Sequence, residues 1–315
     1  MSVKKEGAHM CDREFSEILR RIERRESAAL TRRVEGTTYL RRFVPKERLI
    51  LLGGGHVSLA LARVAATLGF AVTVADDRAG FANTERFPMA ERVLCDGFAA
   101  AIETLEIRAS DYVCILTRGH RWDGECLRAL LRGTEPSYLG MIGSKRRVAG
   151  LFGALRDEGF DAARIARIHA PIGLMIGAVT PEEIAVAIAA QLIEHRRAAP
   201  QETDAAAMAQ TNTDVELLRF LADGEGKKAL CLVLDTKGST PVKSGAVMAV
   251  DALGRGYGTI GGGCGEAAAM NRARALLGTG GTAVMEVDMT DDAAADEGLT
   301  CGGTMRVYLE DVEEP

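Results

Sequence analysis

The sequence predicts an α/β chain in two parts: a Rossmann-like doubly wound parallel sheet domain and a smaller α/β (α+β) domain of glycine and cysteine loops. Three observations predict it. The stretch RLILLGGGHVSLALARVAATLGFAVTVADD, residues 48–77, runs strand, glycine turn, helix, strand, which is how a doubly wound sheet opens. Apolar runs at 112–116 and 137–142 then alternate with helical stretches at 124–131 and 145–158, the pattern of parallel strands covered on both faces. At 315 residues the chain has room for two separate cores.

Composition narrows the class. The chain is 47% hydrophobic and 26% charged, as soluble globular proteins are. No run approaches the ~20 apolar residues of a membrane span, and no signal peptide opens the sequence, so the expectation is a cytoplasmic protein with no membrane partner. Seven cysteines, at 11, 95, 114, 126, 231, 264 and 301, include no C-x-x-C pair, which argues for reduced thiols over a disulfide framework or a structural zinc. The net charge is −5, although residues 1–48 carry 13 Lys and Arg against 8 Asp and Glu. With its folded parts acidic, the chain is not expected to bind nucleic acid.

Along the chain, EFSEILRRIERRESAALTRRV (14–34) places Phe15, Ile18, Leu19 and Ile22 at helical spacing, and reads as an amphipathic helix with a basic back. Thr180, Pro181 and Glu183 form a capping box that launches EEIAVAIAAQLIEHRR, the helix that closes the first domain. The segment AAPQETDAAAMAQTN has neither helical nor strand period. The expected division is therefore a helical arm over 1–47, the doubly wound domain over 48–198, a linker over 199–213, and a second domain over 214–315 that begins with a short helix and the strand ALCLVLD.

In the first glycine loop, Gly53 and Gly55 give a tight turn and room for a pyrophosphate at a helix N-terminus, with His56 inside the loop. Ser58 stands at the usual third glycine. Asp76, with Asp77 beside it, ends the second strand where a ribose-binding carboxylate belongs. The loop suits NAD(P), another phosphorylated ligand, or none, because the fold argues geometry and not ligand. His120 in TRGHRWD lies at the carboxyl edge of the sheet, where ligands bind. Gly143, Ser144 and Lys145 open a helix after a strand, with Gly140, Arg146 and Arg147 nearby as anion donors or as a solvated helix start. His169, which begins HAPIGL, is a further histidine for that edge.

A second formal G-x-G-x-x-G, at Gly256, Gly258 and Gly261, is a decoy: a turn, DALGRG, precedes it, and Glu286 and Asp288 come too late to be its ribose acid. What GGGCGEAAAMNRARALL offers instead is unhindered backbone N–H groups leading into a helix. Cys264 stands near the first turn, where the helix dipole favours a thiolate. Gly261, Gly262, Gly263 and Glu266 surround it. Cys301 in LTCGGTMRVYLE is framed by Gly302 and Gly303, so the two cysteines suggest one pocket for a soft metal centre, or else two small buried fillers. Lys237, Ser239, Thr240 and Lys243 supply donors on a neighbouring loop. Residues 214–315 contain no histidine, which leaves a dehydrogenase without its usual proton carrier there.

Taken together, GGGHVSLALA, DDRAGFANTERFP, LTRGHRWD, YLGMIGSKRR and HAPIGLMIGAVTPEEIAVAI, followed by DTKGSTPVKSGAVMAV, GTIGGGCGEAA and LTCGGTMRVYLE, resemble the accessory factors of xanthine dehydrogenase and carbon monoxide dehydrogenase, the XdhC/CoxI family. The domain order is reversed relative to the commonest members. The resemblance implies a homodimeric carrier, more than a catalyst, that binds the molybdenum cofactor (molybdopterin). Such a protein protects the cofactor while a cysteine desulfurase installs its terminal sulfur, then passes it to a xanthine dehydrogenase-type molybdenum hydroxylase apoenzyme. Carried onto this chain, Cys264 and Cys301 are the glycine-framed cysteines, and Cys264 is the candidate molybdenum contact. The other reading is an NAD(P)-dependent oxidoreductase that uses the first glycine loop.

Overall fold

The computed structural model describes residues 8–198, 208, 214–223, 226–289 and 302–312. In chain order the elements are α1 (Ala8–Glu23), β1 (Ala28–Val34), β2 (Thr37–Phe43), β3 (Arg48–Leu52), α2 (His56–Thr67), β4 (Ala71–Asp76), β5 (Arg92–Cys95), α3 (Phe98–Leu105), β6 (Tyr112–Ile115), α4 (His120–Arg132), β7 (Tyr138–Met141), α5 (Lys145–Asp157), α6 (Ala162–Ala166) and α7 (Pro181–Ala198). There follow α8 (Val215–Asp223), β8 (Lys228–Lys237), β9 (Val247–Asp251), β10 (Gly256–Gly258), α9 (Gly263–Leu276), β11 (Thr282–Asp288) and β12 (Thr304–Val312). They fall into two compact units, Lys46–Gln201 and the pair of segments Met1–Pro45 with Glu202–Pro315.

Lys46–Gln201 is the doubly wound domain. Its five strands lie in the order β5-β4-β3-β6-β7, every pairing parallel. The order reverses between β3 and β6, so the switch point, where ligands bind in such sheets, lies at the carboxyl ends of these two strands. Alternation along β3 feeds two cores. Leu49 and Leu51 pack with Leu61 and Ala65 of α2 and Ile188 and Leu192 of α7. Ile50 and Leu52 pack with Phe98, Leu127 and Leu155 of α3, α4 and α5. The capping box of α7 is reciprocal: Thr180 Oγ1 accepts from Glu183 N (3.2 Å), and Glu183 Oε2 accepts from Thr180 N (3.0 Å) and Val179 N (2.7 Å).

The second unit is a five-stranded sheet, β10-β9-β8-β12-β11, with every pairing antiparallel. Helices cover both faces. Ala229, Cys231 and Val233 of β8 face Ala269 and Ala273 of α9. Leu230, one residue out of phase, faces Phe15, Ile18, Leu19 and Ile22 of α1 and Leu217, Leu218 and Leu221 of α8.

Here the expectation of a helical arm over 1–47 is corrected. The helix stops at Glu23, and 28–43 form a hairpin whose turn, Glu35 and Gly36, has φ of 50° and 86°, as a tight two-residue connection requires. This segment is built into the second unit: Leu30 and Phe43 join its core, Tyr39 Oη donates to Asp235 (3.0 Å), and Arg32 binds Glu310 (2.7 Å) and Glu14 (3.0 Å). The expected linker falls outside the described residues except Met208, whose N–H donates to Leu40 O (3.1 Å). No described helix is long and apolar enough to cross a membrane.

Candidate functional site

The second unit builds its site from the loop between β10 and α9. The backbone of Gly261, Gly262 and Gly263 is left-handed throughout, with φ of 119°, 73° and 67°, a run that L side chains resist. A Cβ on Gly261 would lie 2.6 Å from Pro241 Cγ. The loop therefore folds flat against the 237–244 turn and delivers Cys264 to the first turn of α9. Its thiol is exposed and lines a cavity of about 380 Å³. The far wall is β11 and the residue after it: Met285, Val287 and Met289 lie on the strand side that faces α9, because alternate residues share a face.

Glu266 braces the loop. One carboxylate oxygen accepts from Thr259 Oγ1 (2.6 Å), Ile260 N (2.9 Å) and Gly262 N (3.1 Å). Burial pushes its pKa up, but the Thr259 hydroxyl and the loop N–H groups outweigh burial and hold it below the ordinary value. With its folded pKa below the unfolded ~4.3, the brace contributes fully above that pH and weakens as pH falls through the folded value. Hydrogen exchange over 259–263, corrected for intrinsic rates, is expected to speed up about tenfold in Glu266→Ala relative to wild type at neutral pH. Wild type should approach the variant on acidification.

Gly302 and Gly303 lie beside the same cavity: Gly302 N donates to Met289 O (3.2 Å) and Met289 N to Gly303 O (3.0 Å). Cys301 lies outside the described residues. Lys237, Ser239 and Lys243 are exposed on the turn that carries Pro241, while Thr240 Oγ1 donates to Val242 O (2.7 Å). The other described cysteines differ from Cys264. Burial pushes the thiols of Cys114 and Cys126 well up and that of Cys231 up to about 12, which keeps them protonated and inert. Cys95 is exposed on β5 but does not line this cavity. Gly256 and Gly258 form an antiparallel edge strand with β9, not a strand entering a nucleotide loop.

In the doubly wound unit, Gly53, Gly55, His56, Asp76, His120, Gly143, Ser144 and Lys145 all gather at the carboxyl edge of the sheet, after β3, β4, β6 and β7. His56, His120 and Lys145 are exposed, and a Cβ on Gly55 would meet nothing. Ser144 caps α5, accepting from Arg147 N (3.4 Å). Asp76 departs from expectation. It is 1% exposed, and its carboxylate already accepts from Gly54 N (2.8 Å) and from Arg78 N (3.0 Å), Nε (2.8 Å) and Nη2 (2.9 Å). Asp77 is held by the Arg118 guanidinium, which lowers its pKa. His169 is corrected too: its ring stacks on Tyr138, at the amino end of β7, with centroids 4.7 Å apart, and does not face the carboxyl edge.

Asp123, the last residue of TRGHRWD, went unnoticed in sequence. It is 3% exposed and accepts from Thr117 Oγ1 (2.6 Å) and Arg147 (3.3 Å). Burial lifts its pKa against those two partners and His120. A carboxylate in the first helical turn after a β-strand was the available signal. Arg78 and Arg118 gave none, since their importance depends on which acids they meet.

Residues 49–192 match the family described as the XdhC Rossmann domain, and residues 221–288 the XdhC and CoxI family. The chain belongs to the XdhC family. Among curated relatives, the uncharacterized protein YqeB of Escherichia coli (strain K12) is 40% identical over 157 residues, 49% of this chain and 28% of that protein. A probable xanthine dehydrogenase subunit from Bacillus subtilis (strain 168) is 30% identical over 159 residues, 50% of this chain and 46% of that protein. The chain thus spans less than half the length of either. A crystal structure described as a xanthine dehydrogenase from Bacillus halodurans is 35% identical, covering 51% of this chain and 47% of that one, with a TM-score of 0.45.

Proposed function

We propose that the chain is an accessory protein of a xanthine dehydrogenase-type molybdenum hydroxylase. In this reading it holds the molybdenum cofactor at the Cys264 cavity, supports its sulfuration by a cysteine desulfurase, and passes it to the apoenzyme. The observation that carries the reading is an exposed thiol, framed by left-handed glycines, on a cavity of about 380 Å³, in a chain of the XdhC family.

The residues present suit such a guest. Cys264 offers a soft donor to a thiophilic metal. The N–H groups of the first turn of α9 favour anionic groups. Met285, Val287 and Pro241 give an apolar wall for a flat heterocycle and keep water from it. When bound, the cofactor would supply the molybdenum centre itself. The protein's part is to hold, orient and shield.

The test is anaerobic purification from a cofactor-producing host, followed by metal analysis and fluorescence of the oxidised pterin. Molybdenum and pterin are expected to co-purify in equal amounts, and the absence of both would overturn the proposal. An oxidoreductase that uses NAD(H) has less support, because Asp76 already accepts four N–H donors and has no acceptor capacity left for a ribose diol.

A further inference from the structure

The doubly wound unit carries the glycine loop of a nucleotide site, but the carboxylate that would grip the ribose is spent. A carboxylate has about four acceptor positions, and Asp76 already receives four N–H donors, three of them from Arg78. Its neighbour Asp77 lies 3.9 Å from Arg78 Nε and is clasped by both terminal nitrogens of Arg118. The end of β4 therefore carries two partly exposed guanidinium groups, Arg78 and Arg118, beside the paired carboxylate of Asp77. A ribose hydroxyl finds only Asp77 there, already paired with Arg118, whereas a phosphate finds two guanidinium groups.

A further fact points to a missing acceptor. Arg86 donates through Nε to Gly54 O (3.1 Å), inside the glycine loop, while its Nη2 is buried with no hydrogen-bond partner among the described residues. Buried polar groups are rarely left so. Above the loop, a Cβ on Gly55 would meet nothing, so backbone N–H groups there are open to an incoming anion.

We infer that the switch-point crevice between β3 and β6 binds a nucleotide that bears a phosphate on its ribose, recognised by Arg78 and Arg118, in preference to one with a free ribose diol. A 2′-phosphate, as in NADP(H), and a 3′-phosphate, as in coenzyme A, share this chemistry. The inference concerns a different unit from the molybdenum proposal, and either can fail without the other.

Calorimetry on the full chain with 2′,5′-ADP, 3′,5′-ADP, 5′-ADP and NADH tests it. One of the two bisphosphates is expected to bind about tenfold or more tighter than 5′-ADP and NADH, as a charge-assisted contact to one extra phosphate implies. The stronger of the two identifies the position of the phosphate. Arg78→Ala leaves buried Asp76 short of donors, so the exposed Arg118→Ala serves beside it, with melting temperature as a folding control. Either folded variant should reduce the preference severalfold while NADH binding holds or improves. Equal or tighter binding of NADH to wild type, binding of none of the four, or a preference untouched by Arg118→Ala and Arg78→Ala would overturn the inference.

Discussion

Cys264→Ala, purified anaerobically from a cofactor-producing host, is expected to retain at least about tenfold less molybdenum and pterin than wild type, the loss that removal of one soft metal donor implies. Its stability should change by no more than about 0.5 kcal/mol, because the side chain is exposed and truncation opens no cavity. The contrast between those two readouts gives the experiment its force. Cys264→Ser, close in shape but hard as a donor, should resemble the alanine variant if soft-metal ligation is what matters. Cys95→Ala, which removes an exposed thiol of the doubly wound unit, should retain the cofactor. Full molybdenum in Cys264→Ala would remove the thiol from the mechanism and leave the cavity wall alone to explain any binding.

Gly53→Ala is expected to destabilise the doubly wound unit by about 3 kcal/mol, read as a lower denaturation midpoint. Two costs combine. The backbone there has φ of 113°, and an added Cβ would lie 2.4 Å from Leu116 O. That carbonyl cannot swing aside cheaply, because Leu116 N donates to Leu52 O (2.8 Å) and thereby ties the loop after β6 to the end of β3. Gly55→Ala is the matched control: its φ is −68° and its Cβ would meet nothing. Its cost should stay within about 0.5 kcal/mol. A small effect at Gly53 would mean that the two loops do not approach as closely as the structure has them.

The doubly wound half was legible because its signals are local: an apolar run, glycines, a helix with a small residue at Ser58, then acids at a strand end. Cys264 was legible for the same reason, since its glycines are its neighbours. Asp76 stands at the strand end the pattern predicts, but its partners are not legible there. Nothing in ADDR reveals that Arg78 folds back on it, and Arg118, which claims Asp77, is 41 residues away. The hairpin after α1 was hidden by spacing. Leu30 and Val34 are four apart and extend a helical stripe on paper, yet in β1 they are alternate buried positions of a strand. Met285 and Met289 went unread because a methionine stripe looks like any core until a cavity is seen beside it.

The N-terminal hairpin and α1 complete the core of a unit whose five-stranded sheet is synthesised some two hundred residues later. The doubly wound unit is thus an insertion that leaves the ribosome whole, while its host waits for its last strand. A fragment cut at the start of α8 would carry the Cys264 loop but bare the apolar flank formed by Leu230, Ala249 and Val312, inviting self-association. To work with the thiol-bearing half alone, one would splice residues 1–45 directly onto 202–315, restoring in a single polypeptide what evolution left split.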